Sequence, residues 1–174
     1  EPLTNGDVEV SGDGFVKDEG ADFTVTGTQT LVGSSKNFFD YTLKGGAKAG
    51  NYNITKVEGT LTVTNRSEDA KYEITVEANS DTVKYSGDEQ SVSGIVTDTF
   101  VVEGNTYTVE GLSAEAKGTD AGEYASVVTG TAVVKDADGN VVTDQFKVNT
   151  QAGKLTIEKR DVTFTSGTSS REYN

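Results

Sequence analysis

Asp136-Ala137-Asp138-Gly139-Asn140 sets oxygen-bearing side chains at alternate positions around a glycine, the pattern by which a loop wraps a hard cation. Asp136, Asp138 and Asn140 are therefore the candidate metal ligands, with calcium as the candidate ion. The helical calcium loop also needs a later bidentate Glu, and Val141-Val142-Thr143-Asp144 does not supply one. Asp-Gly and Gly-Asn between apolar strands are equally at home in hairpin turns, because these residues tolerate positive φ. The turn is the simpler reading and needs no ion. Asp18-Glu19-Gly20-Ala21-Asp22, with Asp98, Asp120 and Glu123, offers further carboxylates. A carboxylate pair held ~5–10 Å apart can hydrolyse a glycoside. Such sites usually add aromatic platforms, and Trp is absent, so these acids read as solvated strand faces and loops.

Other chemistry is closed off by composition. The 174 residues include no His and no Cys, which removes the Ser-His-Asp triad, the thiol nucleophile, the usual zinc ligands and any disulfide. No enzyme and no cofactor beyond that calcium ion is expected. Fifteen basic against 28 acidic residues give a net charge of −13, which repels phosphate backbones, so nucleic acid is not an expected partner. No apolar run approaches the ~18 residues of a membrane helix, and no signal peptide is visible. Membrane insertion is not expected, and the sequence reads either as a mature fragment or as one whose targeting segments lie outside it.

The aromatic residues fall mostly at alternating positions, which makes core their default role. Tyr52 and Tyr124 follow Ala49-Gly50-Asn51 and Ala121-Gly122-Glu123, a context like the tyrosine corner of sandwiches, in which the hydroxyl ties back to nearby backbone. Phe38, Phe39 and Tyr41 form the one dense aromatic cluster and are candidate partner-binding residues if their rings are not buried.

The elements that must position these residues are strands. Phe23-Thr24-Val25-Thr26, Thr60-Leu61-Thr62-Val63-Thr64 and Ile74-Thr75-Val76 alternate with the period of a half-buried strand. Gly, Asn and Asp punctuate such runs at the rhythm of a sandwich or barrel. Val and Thr are abundant and helical periodicity is missing, so the chain reads as all-β.

An internal repeat adds organisation. Residues 52–66, YNITKVEGTLTVTNR, align without gaps onto residues 146–160, FKVNTQAGKLTIEKR. Each copy reads as a closing hairpin: an aromatic strand, a turn glycine, and an exit strand ending in Arg. Ile74-Thr75-Val76 running to Val83-Lys84-Tyr85 aligns with Val162-Thr163-Phe164 running to Arg171-Glu172-Tyr173. The second copy carries an extra hairpin, Thr99–Thr108 around Gly104-Asn105, and a longer loop at Asp136–Asp144. The expected modules are 1–66 and 70–160. The first has no first strand before Glu1, and residues 161–174 form a surplus first strand belonging to the next module. A module without its first strand exposes an edge that invites another strand. Val162 and Phe164 are therefore further candidate partner-binding residues, in a strand able to complete a neighbouring molecule.

Ile157-Glu158-Lys159-Arg160-Asp161-Val162-Thr163-Phe164-Thr165-Ser166, Arg171-Glu172-Tyr173-Asn174, Gly118-Thr119-Asp120-Ala121-Gly122-Glu123-Tyr124, Asn51-Tyr52-Asn53-Ile54-Thr55 and Gly59-Thr60-Leu61-Thr62-Val63 together resemble the Ig-like, MBG-like β-sandwich repeats of Gram-positive cell-wall-anchored surface proteins and adhesins. The resemblance covers nearly the whole chain. It implies two tandem Ig-like β-sandwich modules plus a C-terminal strand, acting as a stalk or spacer on the bacterial cell surface. Anchoring would come from regions outside this chain. The implied partners are neighbouring modules or subunits of an array or fibre. The alternative is a binding module for a host glycan or protein receptor.

Overall fold

Alternating Val, Thr and aromatic residues give twelve strands and, apart from three single 3-10 turns, no helix. The fold is all-β. The computed structural model describes all 174 residues, and these divide into two units, Glu1–Asn65 and Arg66–Asn174. None of its helices is long and apolar enough to cross a membrane.

The first unit contains β1 (Gly20–Val25), β2 (Gly33–Asn37), β3 (Phe39–Lys44) and β4 (Gly59–Val63). β1 pairs antiparallel with β3, from Gly20↔Lys44 to Val25↔Phe39. β2 pairs antiparallel with β4, from Gly33↔Val63 to Asn37↔Gly59. Residues 52–58 belong to no strand. Of the eleven buried apolar side chains in the chain, Leu61 alone lies in this unit, so its two sheets enclose almost no core.

The second unit contains β5 (Tyr72–Glu77), β6 (Asp81–Lys84), β7 (Gln90–Ser93), β8 (Thr99–Val102), β9 (Asn105–Gly118), β10 (Gly122–Lys135), β11 (Phe146–Gln151) and β12 (Gly153–Glu158). One sheet runs β6-β12-β10-β9-β7, with β8 also on β9, while β5 and β11 form a separate pair. Ile74 and Val76 of β5 and Phe146 of β11 pack onto Val109 of β9 and Val134 of β10. Ala116, Leu155 and Ile157 make a second cluster with Val83, Val92 and Tyr124 against them. Burying two β-branched side chains, Val76 and Val134, completely is worth about 1.5–3 kcal/mol each. The β8–β9 hairpin pairs Thr99↔Thr108 through Val102↔Asn105, with Glu103 and Gly104 at φ 49° and 80°, the double positive φ of a tight hairpin turn.

One expectation is corrected. Residues 146–160 do not form a hairpin: β11 pairs with β5 and β12 with β10 and β6, so consecutive strands lie in different sheets. Gly153 is therefore no turn glycine. A Cβ there would sit 2.3 Å from the Asn79 carbonyl oxygen and 2.5 Å from that of Ala78, where the chain crosses over it between β5 and β6. Residues 161–174, expected as the first strand of a following module, join no strand of this chain and are exposed throughout. Arg66 falls in the second unit. Its guanidinium stacks 4.0 Å from the Tyr72 ring and donates to the Ala70 carbonyl at 2.6 Å.

A candidate binding groove

The thin core of the first unit leaves a groove of about 570 Å³. Its walls include Val10, Phe15, Phe39, Tyr41, Ile54 and Leu61. β1 and β3 supply Phe39 and Tyr41 through the register pairs Val25↔Phe39 and Phe23↔Tyr41, and the Phe23 and Phe39 rings meet edge-on at 6.2 Å. Along the other wall runs the unpaired segment 52–58. No backbone group of residues 53–57 is hydrogen-bonded within the chain, and Ile54 and Val57 are 40% and 76% exposed. Unpaired backbone beside apolar walls suits an extended chain more than a compact ligand.

Tyr52 fixes one end. Its hydroxyl donates to the Glu19 carboxylate and accepts the Val16 N–H at 3.2 Å, while its ring meets Phe15 edge-on at 5.0 Å. The bond to Glu19 raises the phenol above its ordinary pKa, since ionising it would put two negative charges together. At the other end Lys56 lies 5.0 Å over the Phe39 ring and pairs with Asp40 at 3.6 Å and Glu58 at 3.5 Å. Each carboxylate near the groove that has a cationic partner is held by it as an ion pair.

The aromatic cluster read from the sequence is split by strand alternation. Phe39 and Tyr41 line the groove, whereas Phe38 does not and is 53% exposed. Tyr124 donates its hydroxyl to the Asp120 carbonyl at 3.0 Å, four residues upstream, in the manner of a tyrosine corner. Tyr52 departs from that pattern, reaching Val16 and Glu19 across the unit instead. Asp136, Asp138 and Asn140 come together as a turn. Asp136 Oδ1 accepts the N–H groups of Asp138 and Asn140 at 3.0 and 2.8 Å, and Oδ2 accepts the Asn140 amide at 2.9 Å. The Asn140 amide and these backbone donors hold the carboxyl below the usual aspartate range. The donors converge on the Asp136 carboxylate and close the turn. Val162 and Phe164 are 70% and 94% exposed.

Sequence reading missed Phe15, Ile54, Val57 and Gly59 as groove residues. A signal was present in the internal alignment, which equates Ile54 with Val148 and Gly59 with Gly153. Comparison with protein-family models, curated proteins and solved structures gives no match.

Proposed function

We propose that this chain is a structural repeat of an extracellular bacterial surface adhesin or fibre, two Ig-like β-sandwich modules acting as a load-bearing spacer. The observation that carries this reading is the parallel pairing of the strands at which the second unit is entered and left. β5 pairs with β11 from Phe146↔Tyr72 to Gln151↔Glu77, and β6 with β12 from Leu155↔Asp81 to Glu158↔Lys84. Tension applied at Tyr72 and Glu158 pulls parallel neighbours in opposite directions. The ladder is then loaded in shear, so its hydrogen bonds must fail together. Strands pulled apart from one end would instead lose bonds one at a time. A dispersed charge of −13 supports the same role by keeping exposed strand edges apart in solution.

Single-molecule pulling tests this. The chain contains no Cys, so engineered pairs are the only attachment points. Lys71→Cys with Lys159→Cys loads the ladders in shear, and Lys71→Cys with Asp144→Cys peels β11 from β5. Unfolding force, which reports the unfolding barrier, is expected to be several times higher for the first pair. Equal forces would refute the load-bearing reading.

A further inference from the structure

The groove of the first unit has the shape of a missing strand, and the chain carries a segment patterned like that strand. The second unit shows the completed version. There Phe146 and Val148 pack against the cluster formed by Ile74 and Val76, with β5 lying parallel beside β11. Tyr52 and Ile54 occupy the aligned places in the first unit, yet no strand lies beside them and Ile54 is 40% exposed. The aligned counterparts of Ile74 and Val76 are Val162 and Phe164, which pack on nothing.

A glycine gives independent support. Gly153 is compressed under the Ala78–Asn79 crossover, with carbonyl oxygens 2.3 and 2.5 Å from its Cβ position. Its counterpart Gly59 meets nothing closer than 3.9 Å, and its φ is not positive. Nothing within the chain requires glycine there. A strand crossing as β5–β6 crosses Gly153 would require it.

We propose that residues 162–173 of a second copy of this chain fill the groove, pairing parallel to residues 52–57 and then to β4. Transferring the registers Val148↔Ile74 and Thr150↔Val76 places Val162 beside Ile54 and Phe164 beside Lys56, whose ammonium already rests on an aromatic face. The crossover then falls at Ser166-Gly167, over Gly59. Apolar insertion rests on Val162 and Phe164, because Arg171 stands where the second unit has Val83. Such a contact is head-to-tail. Each copy uses its first unit to accept and its C-terminal segment to donate, so the assembly grows as an open series unless the rotation closes. This deepens the spacer reading and rests on it for its biological setting. It can fail separately, since the pulling experiment loads only the second unit.

Complementation between two full-length variants tests it. Gly59→Ala blocks acceptance and leaves the donor intact; Phe164→Asp disables the donor and leaves the groove intact. Sedimentation of the wild-type chain is expected to show oligomers whose mass grows with concentration. Each variant alone is expected to weaken self-association at least tenfold, and their mixture to form a one-to-one dimer. Far-UV circular dichroism matching wild type establishes that both remain folded. Four results would overturn the proposal: a wild-type monomer at millimolar concentration, oligomers unaffected by either substitution, a mixture that stays monomeric, or protection of Arg171 from trypsin in a monomer. The last would mean that the segment closes within its own chain.

Discussion

Replacing Gly153 with Ala places a methyl group against two backbone carbonyls, and the cost can be worked from their positions. The nearest oxygens, of Asn79 and Ala78, would lie at 2.3 and 2.5 Å, where an unstrained contact needs at least 3.0 Å. The crossover must therefore retreat by more than half an ångström. Ala78 N–H donates to the Gln151 carbonyl at 2.9 Å and Asn79 N–H to that of Gly94 at 3.0 Å, so the same retreat stretches both bonds beyond useful length. Two weakened bonds cost about 1 kcal/mol each, and overpacking adds about 1–3 kcal/mol. Stiffening of the unfolded chain by Ala offsets about 0.4–1 kcal/mol. The net destabilisation is about 2–5 kcal/mol, which lowers the melting temperature of a ~100-residue unit by roughly 8–20 °C. Urea unfolding followed by circular dichroism and tyrosine fluorescence measures it. Gly59→Ala is the control, expected within about 0.5 kcal/mol of wild type because its Cβ meets only an ordinary contact, the Asn37 Cβ at 3.9 Å. A Gly153→Ala chain as stable as wild type would show that the crossover does not press on this residue, and would remove the steric comparison between the two glycines.

Three further outcomes are expected. Asp136→Ala, which strips the acceptor from a half-buried turn, is expected to cost about 1 kcal/mol after allowance for solvent. Because the folded pKa of Asp136 is depressed, its contribution is present above the unfolded aspartate value and lost as pH falls through the folded one. A wild-type acid-unfolding curve that Asp136→Ala leaves unchanged would refute this, and a calcium-dependent rise in melting temperature would show that the turn is a cation site after all. Ser126 is fully buried with its hydroxyl unpartnered, so Ser126→Ala is expected to be neutral or stabilising by about 1 kcal/mol in thermal melts. Tyr72 donates its hydroxyl to Glu103 at 2.7 Å, which raises its pKa. The stability it contributes is therefore full below the unfolded tyrosine value and lost as pH rises through the folded one. Tyr72→Phe is expected to flatten that alkaline step in urea midpoints measured across pH.

The all-β character was legible because period-two alternation depends only on which face of a strand is wet. The β8–β9 hairpin was legible because Gly104 states its backbone requirement locally, although the turn pair is Glu103-Gly104 and Asn105 already belongs to β9. Residues 146–160 were misread for the complementary reason. A glycine that makes a turn and a glycine that makes room look alike in sequence, and alternation does not say which sheet a strand joins. Only the position of Ala78 and Asn79 separates the two roles of Gly153. The groove was barely legible: the internal alignment pairs Ile54 and Gly59 with residues of the second unit, while Phe15 and Val57 show no periodic pattern that marks them as its walls. Asp136 was legible as a turn residue, since its spacing to Asn140 suits backbone donors as well as a cation.

Parallel entry and exit strands also set how length is stored. From Tyr72 to Glu158 the folded chain advances by little more than one run of β11 and β12, ~40 Å at ~3.3 Å per residue. The same stretch of about 90 residues reaches ~300 Å when fully extended. A single rupture would therefore release slack many times the folded step, and in the proposed tether it would lower the tension on neighbouring modules. Under the proposed spacer role, the second unit would be a length reserve with a threshold.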